Sequence, residues 1–238
     1  MKLDILAFGA HPDDVELGCG GTLAKEIFLG KKVGIVDLTR GELGTRGSKE
    51  IRDQEADAAA KILGVSVREN LNMRDGFFVN DEKHQILVIE MIRKYQPEIV
   101  ICNAVNDRHI DHAKGSDLVS NACFLSGLIK IETFLLGKKQ EYWRPKLVYH
   151  YIQWKNIKPD FVVDVTGFDK IRMEAILAYS SQFYNPNSTE PETVIASKNF
   201  LESLNYRLQD FGRLIGTEFA EGFTVERSLA VNSLGDLI

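Results

Sequence analysis

The chain has 238 residues, 44% hydrophobic and 26% charged, with a formal net charge of −5. These values fit a single large α/β domain over 1–238 and exclude disordered, collagen-like and disulfide-scaffold classes. No Lys/Arg run exceeds two residues, which removes the electrostatic footprint of nucleic-acid binding and directs attention to a small-molecule ligand.

No window approaches the roughly 18 apolar residues of a membrane span. Asp4 interrupts the first apolar run, so no secretory leader is expected. Cys19, Cys102 and Cys123 form no C-x-x-C pair and read as reduced thiols of a cytoplasmic protein.

In chain order, residues 3–8 read as a buried strand, and a helix is expected after Gly20-Gly21, ending at Gly30. Residues 33–38 give a second strand. Ser48 caps a helix running to Gly64, with Ile51, Ala58, Ala59, Ile62 and Leu63 expected on its inner face. Residues 67–71 form a third strand, Asp81 caps a helix over 82–95 that turns Ile86, Ile89 and Ile92 inward, and Gln96-Pro97 stops it. A fourth strand spans 98–103. The β pattern continues at 146–153 and 161–165, followed by helices over about 169–180 and 193–214, with a mobile surface loop expected at 183–191. Apolar strands separated by helices imply a Rossmann-like, mostly parallel sheet with right-handed crossovers.

Two clusters, A-H-P-D-D at 10–14 and R-H-I-D-H at 108–112, lie just past the first and fourth strands. In a doubly wound sheet these strands are neighbours where strand order reverses, and ligands bind outside their carboxyl ends. His11, His112 and Asp14 then make an N,N,O donor set that suits zinc and leaves a position open for water; ferrous iron suits it too. The other aspartate of the first loop stays free to act as a base. Taken alone, H-x-D-D is equally a helix cap or a turn, but three of the five histidines fall in these clusters. His84 reads as a surface residue and His150 as core or pocket wall.

A-H-P-D-D followed by G-C-G-G-T, then D-L-T-R-G-E-L-G-T, R-D-Q-E-A-D-A-A-A-K-I-L-G, H-I-D-H and G-T-E-F-A-E-G-F at 216–223 resemble the LmbE/PIG-L family of zinc-dependent N-acetylglucosamine deacetylases. Within it the chain is most similar to members that deacetylate N-acetylglucosaminyl malate in bacillithiol biosynthesis. The resemblance implies metal ligation by His11, Asp14 and His112, and general-base catalysis by Asp13. It further implies oxyanion stabilisation by His109, as an imidazolium held by Asp111, and assembly into a homo-oligomer, often a hexamer, with residues 113–144 supplying contacts.

Arg52 and Arg108 are the residues expected to bind an acidic substrate group, since arginine pairs bidentately with carboxylate. Glu42 is a candidate for a sugar hydroxyl, and the 183–191 loop, with Tyr184, for the aglycone side. Two rivals stand beside this reading. A nucleotide-binding protein would use Asp37 for a ribose, but the first turn lacks G-x-G-x-x-G and carries two aspartates where a phosphate would sit. A non-catalytic zinc-binding protein would have no use for Asp13.

Overall fold

The computed structural model describes residues 1–237. Its main sheet contains β1 (Ile5–Gly9), β2 (Val33–Thr39), β3 (Val67–Met73), β4 (Ile99–Cys102), β7 (Leu147–Tyr151), β8 (Phe161–Asp164) and β9 (Ala220–Val225). A two-stranded hairpin, β5 (Phe134–Leu135) and β6 (Lys138–Lys139), stands apart. The helices are α1 (Asp14–Phe28), α2 (Lys49–Leu63), α3 (Glu82–Tyr95), α4 (Ile110–Leu125), α5 (Asp169–Leu177) and α6 (Lys198–Ile215).

Strand order is β3-β2-β1-β4-β7-β9-β8. The first five strands are parallel, and β9 inserts antiparallel between β7 and β8. The expected single-domain α/β architecture is therefore present, with an antiparallel margin.

The period-2 alternation of a strand divides the core between the two faces of the sheet. Ile5, Ala7, Val33 and Ile35 pack under α1, α2 and α5, whereas Leu6, Phe8, Val36 and Leu38 pack under α3 and α4. Every residue of β1 and β2 is buried, as expected for strands covered on both sides.

Local signals account for most helix ends. Ser48 Oγ accepts the Ile51 amide, Asp81 accepts the His84 amide, and Gly64 takes a left-handed φ of 77°.

Two expectations need correction. The first helix begins at Asp14, not after Gly20-Gly21, and is broken at Cys19, whose φ of −150° is not helical. The break frees the amides of Gly21 and Thr22, which donate to the Glu221 carboxylate of β9 at 2.9 and 2.6 Å. On α2, Ile51 is 42% exposed while Arg52 and Glu55 are buried. This face is turned toward polar partners: Glu55 accepts from the Ser181 amide and hydroxyl at 2.7 and 2.8 Å. Residues 183–191 hold no helix, as expected for a loop; Ser188 accepts from Arg46 and Glu190 accepts the Gly47 amide.

All three cysteines are free and buried. No helix among the described residues is long and apolar enough to cross a membrane.

Candidate metal centre and active site

The carboxyl ends of β3, β2, β1, β4 and β7 open into one cavity of about 960 Å³. Residues 10–14 follow β1 and residues 107–112 follow β4, neighbours in the sheet, so loops about a hundred residues apart meet. Both clusters also straddle helix N-termini: Asp13 is the N-cap of α1 and His109 that of α4. Such ends favour negative charge.

Asp14 lies between two imidazoles. Its Oδ2 is 3.4 Å from His11 Nδ1 and its Oδ1 is 3.0 Å from His112 Nε2. Each ring turns its other nitrogen to a further carboxylate. His11 Nε2 lies 3.0 Å from Asp75 Oδ1 and 3.4 Å from Asp111 Oδ2, and His112 Nδ1 lies 2.5 Å from Asp107 Oδ2. Carboxylates placed behind metal-binding histidines fix ring orientation and raise basicity.

Burial opposes charge on both rings, but these carboxylates outweigh it. They raise His11 well above its ordinary value and His112 to about 9. Burial likewise opposes the anionic form of Asp14, yet the two imidazoles hold it well below the usual carboxylate range.

Asp13 adopts a left-handed backbone with φ of 111°, a conformation costly for a non-glycine residue. Its carboxylate is buried and is approached by Arg52, whose Nη2 is 3.2 Å from Oδ2. Burial raises the Asp13 pKa, Arg52 pulls it back, and the result is about 7.

His109 departs from expectation. The Asp111 carboxylate does not hold this ring; it accepts from the Gly76 amide at 2.7 Å and faces Lys114 at 2.6 Å and His11. The backbone amide of Asp111 instead donates to His109 Nδ1 at 3.2 Å. A ring accepting at Nδ1 carries its proton on Nε2. Burial and the positive rings of His11 and His112 lower its pKa. The Asp111 carboxylate thus supports His11 rather than His109, whose Nδ1 is engaged by the Asp111 backbone amide.

The expected substrate-binding residues fall in different places. Arg52 lines the cavity but is committed to Asp13 and the Pro12 carbonyl and lies over the Tyr179 ring. Arg108 is exposed at the cavity mouth, 4.5 Å from the Trp154 ring centre. Glu42 is exposed and accepts the Asp75 amide at 2.8 Å; it does not line the cavity. Residues 183–191, Tyr184 included, do not line it either, although the flanking Gln182 and residues 192–195 do. His84 sits in the first turn of α3 against the capping Asp81, and His150 is buried away from the cavity.

Asp75, Asp107, Asn103 and Gln153 were missed in the sequence. Each is a polar residue one to five positions past a strand end, and that placement was the available signal.

The residues fit a divalent cation. Four carboxylates, Asp14, Asp75, Asp107 and Asp111, surround two imidazoles, with Lys114 the cation paired to one of them. One donor group comprises His11, His109 and His112, and another His11, Asp75 and Asp111, each with ligand atoms within 4.8 Å of one another. The His11, Asp14 and His112 set is neither of these groups; its members are joined pairwise, with Asp14 reaching His11 at 3.4 Å and His112 at 3.0 Å.

A family model described as GlcNAc-PI de-N-acetylase (PIG-L) matches residues 6–123, a span that includes both clusters. Among curated relatives, the Escherichia coli K12 uncharacterized deacetylase YaiS is 40% identical over 114 residues, which is 45% of this chain and 61% of that protein. The diacetylchitobiose deacetylase of Thermococcus kodakarensis is 26% identical over 230 residues, covering 92% of this chain and 81% of its own. The crystal structure of the conserved protein TT1542 from Thermus thermophilus superposes with a TM-score of 0.85 at 33% identity, covering 97% of this chain and 98% of that one.

Proposed function

We propose that the chain is a PIG-L family member, as the family model over residues 6–123 supports, and that it is a metal-dependent hydrolase that removes the N-acetyl group of an N-acetylglucosaminyl conjugate. One observation carries the reading: Asp14 joins His11 and His112 at 3.4 and 3.0 Å while Asp13, beside it in sequence, lines the same cavity with a separate carboxylate. Metal binding alone has no need of that second carboxylate.

In this reading His11, Asp14 and His112 hold the cation, zinc by choice of donors, with ferrous iron also suited. Bound there, a divalent cation supplies Lewis acidity, which acidifies water and polarises the acetamide carbonyl. Asp13 takes the proton of the attacking water. Its pKa near 7 suits both that transfer and the return of the proton to the leaving amine. The neutral Nε2–H of His109 donates to the oxygen that becomes negative, a contribution of roughly 3 kcal/mol for a well-placed donor. Arg52 keeps a positive charge against Asp13, and Asp75, Asp111 and Asp107 hold the two imidazoles in place.

The cavity of about 960 Å³ exceeds what an amino sugar fills. At its mouth Arg108 pairs with no carboxylate among the described residues. An acidic aglycone such as malate suits that guanidinium. Release of primary amine should therefore be fastest from N-acetylglucosaminyl malate when the zinc-loaded protein is compared on that substrate, its inositol counterpart, diacetylchitobiose and free N-acetylglucosamine. Equal slow rates on all four would remove the malate assignment, and no amine from any would remove the deacetylase reading.

Homo-oligomer formation belongs to the same reading. Phe124, Ile129, Phe134 and Leu136 are 59%, 65%, 53% and 96% exposed at the end of α4 and in the segment that follows it, apolar surface of the kind that contacts bury. Light scattering that gave only monomer would overturn it.

A further inference from the structure

We propose that Asn103 and Gln153 are positioning residues that clamp the Asp14 carboxylate and set its affinity for a divalent cation. The inference rests on the metal-centre reading above and assigns two residues to it. Both side chains are buried, at 0% and 7% exposure, at the carboxyl ends of adjacent strands β4 and β7.

Each carboxamide takes one oxygen of Asp14: Asn103 Nδ2 donates to Oδ2 at 3.0 Å and Gln153 Nε2 donates to Oδ1 at 2.9 Å. The orientation of both amides is dictated by their carbonyl oxygens. Asn103 Oδ1 accepts the Ala10 amide at 2.8 Å, so its nitrogen must face Asp14. Gln153 Oε1 accepts the second Asn103 N–H at 3.0 Å and the Ala104 amide at 3.3 Å, so its nitrogen must do the same.

The backbone amide of His11 adds a third donor to Asp14 Oδ2 at 2.9 Å. The carboxylate plane is thereby fixed from both ends, and what remains of each oxygen is turned toward His11 Nδ1 and His112 Nε2. An arginine or lysine in either place would orient Asp14 but also neutralise it and compete with a cation. Carboxamides orient it and leave its charge available.

The test uses Gln153→Met and Asn103→Leu, which remove the donors without adding charge. Zinc affinity is measured by competition with a chromophoric chelator, and the Tm of the cation-free proteins is measured alongside. The zinc dissociation constant should rise about 10- to 100-fold in each variant, the range found for residues that orient metal ligands. For Gln153→Met, on the cavity wall, Tm should change by only a few degrees and kcat should fall with KM retained. If Asn103→Leu fails to fold, the Gln153 variant alone decides. A zinc-binding parent whose variants bind within twofold of it would overturn the clamp and leave the metal centre standing. A parent that binds no divalent cation would overturn both.

Discussion

Arg52 Nη2 lies 3.2 Å from Asp13 Oδ2, and the two side chains retain only 5% and 8% exposure. The pair places a fixed positive charge behind a carboxylate that takes no part in holding the imidazoles. Asp13→Asn is isosteric; it removes the proton acceptor and the charge facing Arg52 but none of the three ligand side chains. Turnover should fall by about 10²- to 10⁴-fold, the range for loss of a general base, while bound zinc, measured by atomic absorption, stays stoichiometric. Loss of zinc together with activity would instead make Asp13 a ligand.

Asp107 faces His112 Nδ1 at 2.5 Å and accepts the Lys155 amide at 2.8 Å through its other oxygen. Asp107→Ala frees the imidazole to rotate. Zinc affinity should weaken by roughly tenfold or more, read by chelator competition, with no change in the ligands themselves.

Much of this centre was legible because its chemistry is concentrated. Histidines and aspartates packed into 10–14 and 108–112, each after an apolar strand, point to one ligand-binding crevice before any coordinates are known. Asp75, Asn103 and Gln153 carry no such local contrast, and Asp107, although it abuts the second cluster, is set apart from its polar neighbours by nothing in the sequence; their shared position past parallel strands unites all four. The Asp111 pairing failed for a related reason: at a helix N-terminus, the backbone amide of Asp111 rather than its carboxylate reaches His109.

Strand β9 was not anticipated because A-E-G-F-T-V mixes polar and small residues, and its Glu221 is buried only through the amides it caps and Arg172 at 3.1 Å. Helix α4 escaped notice because its apolar and polar residues do not separate into clear faces, and Gly115 falls within it.

Gly18 sits against a core aromatic ring. A Cβ there would lie 2.2 Å from Tyr151 Cδ2, and that ring is fully buried with its hydroxyl donating to the Phe8 carbonyl at 3.0 Å. With the ring pinned, Gly18→Ala should destabilise by about 2 kcal/mol through overpacking. Urea denaturation should show a lower midpoint with unchanged slope.

His150 Nε2 lies 3.1 Å from Glu226 Oε1, and its Nδ1 faces the Ser116 hydroxyl, the Asn103 carbonyl and the Cys102 sulfur. Burial opposes charge on the ring, but Cys102 and Glu226 raise its pKa to about 11. A raised folded-state pKa stabilises fully below the unfolded value of about 6.5 and loses that contribution as pH climbs through the folded value. Glu226→Gln should therefore cost stability at pH 7, by about 1 kcal/mol given the partial exposure of Glu226. The gap from the parent should narrow above pH 7 and close toward pH 11. A gap that widened with pH would contradict the assignment.

The central claim is that His11, Asp14 and His112 grip one divalent cation within reach of Asp13. Diffraction from zinc-soaked crystals at the zinc absorption edge tests it most directly. A single anomalous peak about 2 Å from His11 Nδ1, an Asp14 oxygen and His112 Nε2 is the result expected here. No peak, or a peak seated instead among His11 Nε2, Asp75 and Asp111, would contradict it.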